Sequence, residues 1–455
     1  MRDLFLLLFV FGMLPVCFVR PQVGLLMWVW IGYMSPHRLT WSYAYDFRFN
    51  FFIAFVTMAG LLLGNTFRFR IPVNRVTILW LFFIVWACVT TATAFHAGAG
   101  RDLDRFLKVQ MMILAVYMVI TNRVWLDRMI WVMVLSVGFW GVKGGVFTIM
   151  HGGNYRIYGP AGSFFEDNNA LALALIMILP LMRYLQLHSK YLVARLTVGF
   201  LIVNALLTIL GSYSRGGLVG FTVLAVAFFM KSRHKMIVLM ISIVLALGAW
   251  QFMPEKWHER MGNITSFHAM ENIEADDSVS GRVNSWRFAV NLVQDRPFLG
   301  GGFRTFNWDA FQKYAPVKWV HDAHSIYFEV LAEQGLPGFI AFLLMFFTGF
   351  RYAGWVVRNT RQRPDLLWAR DLAAMAQVSL VGYGSAGAFL GLGYFDLPYH
   401  VLAIVVILRE WVREDLARQP RTKQAGGLGR VRSGPLVGQS IFMPPRGRGM
   451  AGARS

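Results

Sequence analysis

Three arginines and a pair of histidines stand where the chain could handle a charged leaving group. Ser212-Tyr213-Ser214-Arg215-Gly216-Gly217 joins two apolar segments, so Arg215 falls at or just below the surface of a bilayer that those segments cross. The glycines beside it let backbone N–H groups approach a ligand closely. An arginine snorkelling from a helix end is the plain alternative. Further on, Trp286, Ala289, Val290 and Val293 recur at helical spacing until Asp295-Arg296-Pro297, which stops a helix. The spacing puts Arg282 in the first turn of that helix, where a cation opposes the dipole and a bound phosphate would reverse the cost. Arg287 lies about 140° around the helix from Arg282, and a solvated face suits it as well as a site does.

His321-Asp322-Ala323-His324-Ser325 leads into the helical pattern IYFEVLAEQG. Histidine is the natural general base near neutral pH, and a hydroxyl must lose its proton as it attacks. A metal pair is a second reading, since His-x-x-His with Asp322 has plausible ligand types, although no third strong ligand lies nearby in sequence. A structural hydrogen-bonding role is the third. Between these motifs, Pro297-Phe298-Leu299-Gly300-Gly301-Gly302-Phe303 reads as a tight turn. Arg304 follows it as a further candidate contact for a diphosphate or glycan. Lys143, inside an apolar span, is costly in lipid and expected to face a cavity. Asp167 and Asn169, in the cluster Glu166-Asp167-Asn168-Asn169 that enters the next span, could bind sugar hydroxyls or cap a helix.

The elements that must position these groups are membrane helices. Hydrophobic residues make up 56% of the 455 positions and charged residues 15%, too apolar a balance for a soluble globule. The apolar segments do not alternate, so helices rather than barrel strands satisfy the backbone in lipid. The expected fold class is all-α, with about twelve crossings: 4–34 as one crossing broken at Pro15 and Arg20-Pro21, with two separate crossings as the alternative, then 51–65, 77–95, 106–121, 129–150, 170–187, 196–213, 216–229, 236–253, 336–357, 371–394 and 397–411. Residues 1–253 form a transmembrane region of about nine crossings, 254–325 a large extracytoplasmic helical loop, and 326–415 the C-terminal membrane helices. Residues 416–455 form a basic, disordered tail. Cys17 and Cys88 both lie in apolar segments and imply no disulfide. The basic, apolar start reads as an anchor rather than a cleaved leader.

The formal net charge of +20 does not point to nucleic acid, because the cations alternate from loop to loop. Arg68, Arg70 and Arg75, then Arg123 and Arg128, Lys190 and Arg195, Lys231, Arg233 and Lys235, and Arg358, Arg361 and Arg363 share one face, which the positive-inside rule makes cytoplasmic. The tail joins them beside anionic lipid. Loops 35–50, 96–105, 151–169, 212–217, 254–325 and 395–399 then lie outside, together with all the candidate chemistry.

Taken in order, SYSRGG, GR-x3-W with DRPFLGGGF, and AHS-x2-FEVLAEQGLPG resemble the signature of the O-antigen ligase and polymerase superfamily. The stretch GVKGGVFTIMHGGNYRIYGPAGSFFEDNNALALALIMILPL is similar to its exosortase-A-associated O-glycosylation ligase subgroup. The resemblance runs from about 130 to 350. It implies a GT-C-like glycosyltransferase of the bacterial inner membrane, independent of metal and ATP and using no cofactor. The donor would be an undecaprenyl diphosphate-linked glycan and the acceptor lipid A–core. A polymerase and a protein O-glycosylation ligase share the same chemistry; a glycolipid flippase or transporter is the rival from another class, though the inverted repeats expected of one are not evident. The resemblance places catalytic roles on Arg215, Arg282 and His324. Ser325 stands where asparagine is common, and Arg287 where some relatives carry an aromatic residue.

Overall fold

The computed structural model describes residues 1–64, 71–232, 235–262 and 277–418. Their regular structure is helical, with sixteen α-helices and no strand among the described residues. In order these are α1 (Arg2–Val19), α2 (Pro21–Met34), α3 (Phe49–Leu63), α4 (Arg75–Ala92), α5 (Ala99–Val119), α6 (Arg123–Met150), α7 (Asn168–His188) and α8 (Leu192–Gly211). Then come α9 (Arg215–Lys231), α10 (Lys235–Phe252), α11 (Glu255–Gly262), α12 (Asp277–Asp295), α13 (Trp308–Tyr314), α14 (Ile326–Asn359), α15 (Leu367–Gly387) and α16 (Asp396–Arg418). Seven of them, α1, α4, α6, α7, α8, α10 and α14, are long and apolar enough to cross a membrane. The expected twelve crossings include shorter or less apolar helices beyond these seven. Arg68, Arg70, Arg233 and the tail beyond Arg418 lie outside the described residues.

The first crossing is not the single broken span expected over 4–34. Asp3, at the start of α1, accepts hydrogen bonds from the backbone N–H groups of Ser42 and Ala44, beyond the end of α2. Phe9 meets Trp30 with ring centroids 5.7 Å apart, and Cys17 approaches Met27. These pairs converge on the Arg20-Pro21 junction, so the chain reverses there and α1 and α2 form an antiparallel hairpin. Proline breaks the helix because it lacks an N–H and disfavours helix in the residue before it. Arg20 accordingly leaves the helical region, with φ −126° and ψ 82°.

At the centre of the bundle runs α7, buried along most of its length against α6, α8, α9 and α15. One end starts at the Asp167 cap; at the other, His188 Nε2 pairs with Asp371 at 3.1 Å. Outside the main core, α12 and α13 pack a cluster of their own, with Phe288 stacked on Phe311 at 4.4 Å, and rest on the first turns of α14. Both helices fall within 254–325.

A break at Gly335 (φ 62°, ψ −173°) divides α14. Such a break frees backbone groups that must find new partners. The triple-glycine turn supplies them: Gly301 N–H donates to Ala332 O at 2.8 Å, Gly302 N–H to Glu333 O at 3.0 Å, and Leu336 N–H to Pro297 O at 2.8 Å. A Cβ on Gly300 would stand 2.5 Å from Ala332 O, and one on Gly335 would collide with Phe298 O. The glycines therefore serve a backbone-to-backbone joint that locks the α12–α14 unit onto the bundle. Gly335→Ala adds that collision to an unfavourable backbone region. It is expected to cost about 1–3 kcal/mol or more, read as a lower melting temperature in detergent.

Candidate active site

Where the α12–α14 unit meets the helix ends lies a cavity of about 630 Å³. His324, Asp322, Asp167, Arg304, Arg105 and the buried carboxyls of Glu329 and Glu333 contribute to its wall. The segment that carries His324 has no regular secondary structure and is held by α12. Asn284 pairs with the backbone of Val317 through both ends of its amide, at 2.8 and 3.0 Å. Ser285 Oγ donates to His321 O at 3.0 Å and Trp286 Nε1 to Ala323 O at 2.9 Å. Trp286 also stacks on Phe328 at 5.0 Å. The polar positions between the apolar stripe of α12 thus act as a clamp.

His324 itself takes a left-handed backbone, φ 42°. That is costly for a residue with a Cβ and tends to persist where surroundings over-determine it, as at active sites. Tyr213 and Arg304, at φ 57° and 59°, share the property. Burial, with the Arg282 guanidinium second, pushes the His324 imidazole below its ordinary 6.5, while Asp322 and Asp167 oppose the shift. A histidine so placed is neutral near pH 7 and able to take a proton.

Arg282 thus senses His324, but its place in the helix differs from the expectation. Since α12 begins at Asp277, Arg282 sits in the second turn and not the first. The case for Arg282 therefore rests on its electrostatic effect on His324 and not on the dipole. Both histidines precede α14, so the helical spacing that would pair them on one face does not apply. His321 packs against Gly281, where an added Cβ would stand 2.7 Å from the ring, and its Nδ1 is buried without a hydrogen-bond partner among the described residues.

Arg215 opens α9, whose cap is Ser214 accepting from Gly217 N–H at 2.9 Å. The turn before it is tied to the cavity wall, because Asn168 Nδ2 donates to Ser212 O at 2.6 Å. Asp167 does both things its sequence allowed. It caps α7, accepting from Asn169 N–H and Nδ2 at 2.8 Å each, and it lines the cavity. Asn169 serves that cap and lies outside the lining. Neither Arg215 nor Arg282 is among the residues that line the cavity.

Arg304 lines the cavity in an ion pair with Asp102, while its backbone N–H donates to Glu333 at 3.0 Å. Two candidates are not brought in. Arg287 is exposed on α12, and Lys143 points outward with Nζ 4.8 Å from the centre of the Trp140 ring. The cavity also holds groups the sequence reading passed over, among them Arg105, Asp102, Glu329 and Glu333. Arg260, on α11, donates to Tyr213 O at 3.0 Å, beside Arg215. Arg105 and Arg260 fall in segments that the charge pattern put outside, a signal in the sequence that marks both.

Chemically, the arrangement offers a neutral base with the Arg282 guanidinium in its electrostatic surroundings, beside a polar chamber lined by Arg105, Arg304 and several carboxyl groups. That set can bind a polyhydroxylated substrate carrying a diphosphate. Residues 200–343, which contain Arg215, Arg282, His324 and the broken helix, match the model of a family described as O-antigen ligase. Residues 1–212 match a family of unknown function (DUF5935). No curated protein matches the chain.

Proposed function

We propose that this chain, whose residues 200–343 match a family described as O-antigen ligase, is a glycosyl ligase. It moves an undecaprenyl diphosphate-linked O-antigen glycan onto lipid A–core at the periplasmic face of the inner membrane. The C-terminus is cytoplasmic in this reading. The observation that carries the proposal is His324, held in a left-handed backbone on the cavity wall, with Arg282 in its electrostatic surroundings and the Arg215 turn bonded to the residue beside Asp167.

The reaction is a direct displacement. An acceptor hydroxyl oxygen attacks the anomeric carbon of the donor while the bond to the diphosphate oxygen breaks. The bonding pair leaves with the diphosphate, and the hydroxyl proton passes to the His324 imidazole. Attack from the opposite face inverts the anomeric centre. Charge grows on the leaving diphosphate, and Arg215 and Arg282 stabilise it there, the electrostatic term that dominates many enzymes. No metal, nucleotide or general acid is needed for so good a leaving group. Asp167, Arg304 and His321 orient the glycan and diphosphate.

Purified protein reconstituted with lipid-diphosphate glycan and lipid A–core, with chelator and without nucleotide, tests this reading. Glycosylated lipid A–core of inverted anomeric configuration is expected. Transfer only to a second lipid-linked glycan makes the chain a polymerase, and movement of donor across the membrane without a new bond makes it a transporter. In the same assay Arg287→Ala and Lys143→Ala are expected to stay within about threefold of wild type, as surface changes away from a site do.

A further inference from the structure

The turn that carries Arg215 is held from outside itself. Four consecutive carbonyls at the end of α8 each accept a hydrogen bond from a distant part of the chain. Leu210 O accepts from Trp257 Nε1 at 3.1 Å and Tyr213 O from Arg260 Nε at 3.0 Å, both donors on α11. Gly211 O accepts from Ile157 N–H at 3.1 Å and Ser212 O from Asn168 Nδ2 at 2.6 Å. The last carbonyls of a helix lack partners within it, and here each finds a donor from another segment.

The N–H sides of the same peptides are held as well. Ser212 N–H donates to Thr208 O at 2.8 Å, Tyr213 N–H to Leu210 O at 3.3 Å and Ser214 N–H to Ser212 Oγ at 3.2 Å. Between them Tyr213 stands at φ 57°, a position after a helix that usually falls to glycine. A residue with a Cβ keeps that conformation only when its surroundings impose it. The Tyr213 ring packs with Met253 and Trp257, and its hydroxyl donates to Gly153 O at 2.6 Å.

Arg215 opens α9 two residues beyond Tyr213, so any relaxation of Tyr213 to negative φ swings the guanidinium away. Through Trp257 and Arg260, α11 holds the first and the last of the four carbonyls and so grips the turn at both ends. Resting on the reading that Arg215 stabilises the leaving diphosphate, we propose that Trp257 and Arg260 are positioning residues for Arg215. They act through the backbone of 210–213 and not on the substrate. Trp257 isolates the effect, because it carries no charge with which to meet a diphosphate.

The test compares two variants of the full chain in detergent: Trp257→Phe, which keeps a ring in the cluster but removes the donor, and Arg260→Met. Each is expected to lower kcat for glycan transfer about tenfold, since a small misplacement of a stabilising group suffices for that. The donor and acceptor KM values should not move. Added to Arg215→Ala, either change should alter the rate by less than about twofold, because residues that act through one another are not additive. Hydrogen exchange of the 208–218 peptides gives a readout that needs no transfer. It should quicken about tenfold in both variants as the turn opens locally, and Arg215→Ala alone should leave it near wild type. Losses in kcat that multiply fully with Arg215→Ala overturn the proposal, as does 208–218 exchange that neither variant changes. A wild type that forms no glycosidic bond defeats the ligase reading alone, and the exchange result then decides whether α11 holds the turn.

Discussion

His324→Ala is expected to slow glycan transfer by about 10²–10⁴-fold, the usual contribution of a positioned general base, while donor binding stays near wild type. The imidazole touches the reacting hydroxyl only as the bond forms, so its loss falls on kcat and not on KM. Steady-state kinetics in detergent or proteoliposomes, with donor and acceptor varied separately, make the check. The geometry also sets the direction of the pH effect. Burial and Arg282 hold His324 below 6.5, so the group is in its proton-accepting form at pH 7. The neutral fraction falls as pH falls through that depressed value, and the rate falls with it.

Arg215→Ala and Arg282→Ala are each expected to cost about 10²–10³-fold in kcat, the loss seen when one donor to a developing anion is removed. Lysine restores the charge but not the planar fork, so Arg215→Lys should recover only part of the rate. The two arginines approach from different elements. Arg215 comes from the α8–α9 turn tied to α7 through Asn168 and Ser212; Arg282 comes from α12, which clamps the His324 segment through Asn284, Ser285 and Trp286. Substitutions that loosen the clamp, Asn284→Ala among them, should therefore reduce the rate without removing any group that meets substrate. Transfer rates of the alanine and lysine variants at saturating donor distinguish these effects.

The all-helical architecture was legible because apolar length and the lack of alternation leave a chain in lipid few alternatives. The end of α12 at Asp295 was legible for a similar local reason, since Arg296-Pro297 cannot continue it. Its beginning was not, because the apolar periodicity starts at Trp286 while the helix starts at Asp277. Whether 4–34 runs as one broken segment or as two was left open by the sequence, for a physical reason as well. Pro21 marks a break, but only the bonds from Ser42 and Ala44 to Asp3 show that the chain turns back. Spacing singled out His324, Arg282 and Arg215, whose motifs combine a charge with a turn. It could not place Arg105, Glu329 or Glu333 at the chamber that His324 lines, because nothing local says which helix end a distant one meets. Lys143 shows the converse: a charge in an apolar span was expected to face a cavity, and its stem instead carries it outward over Trp140.

The central claim is that the His324 imidazole accepts the acceptor's proton while the diphosphate leaves. The most direct test is the pH dependence of single-turnover transfer, with donor and acceptor preloaded, in wild type and His324→Ala. The account predicts a wild-type rate that falls on the acid side with a midpoint below 6.5, and a much slower variant in which that limb is gone. A variant that keeps the wild-type rate, or that keeps the same acid limb, contradicts it.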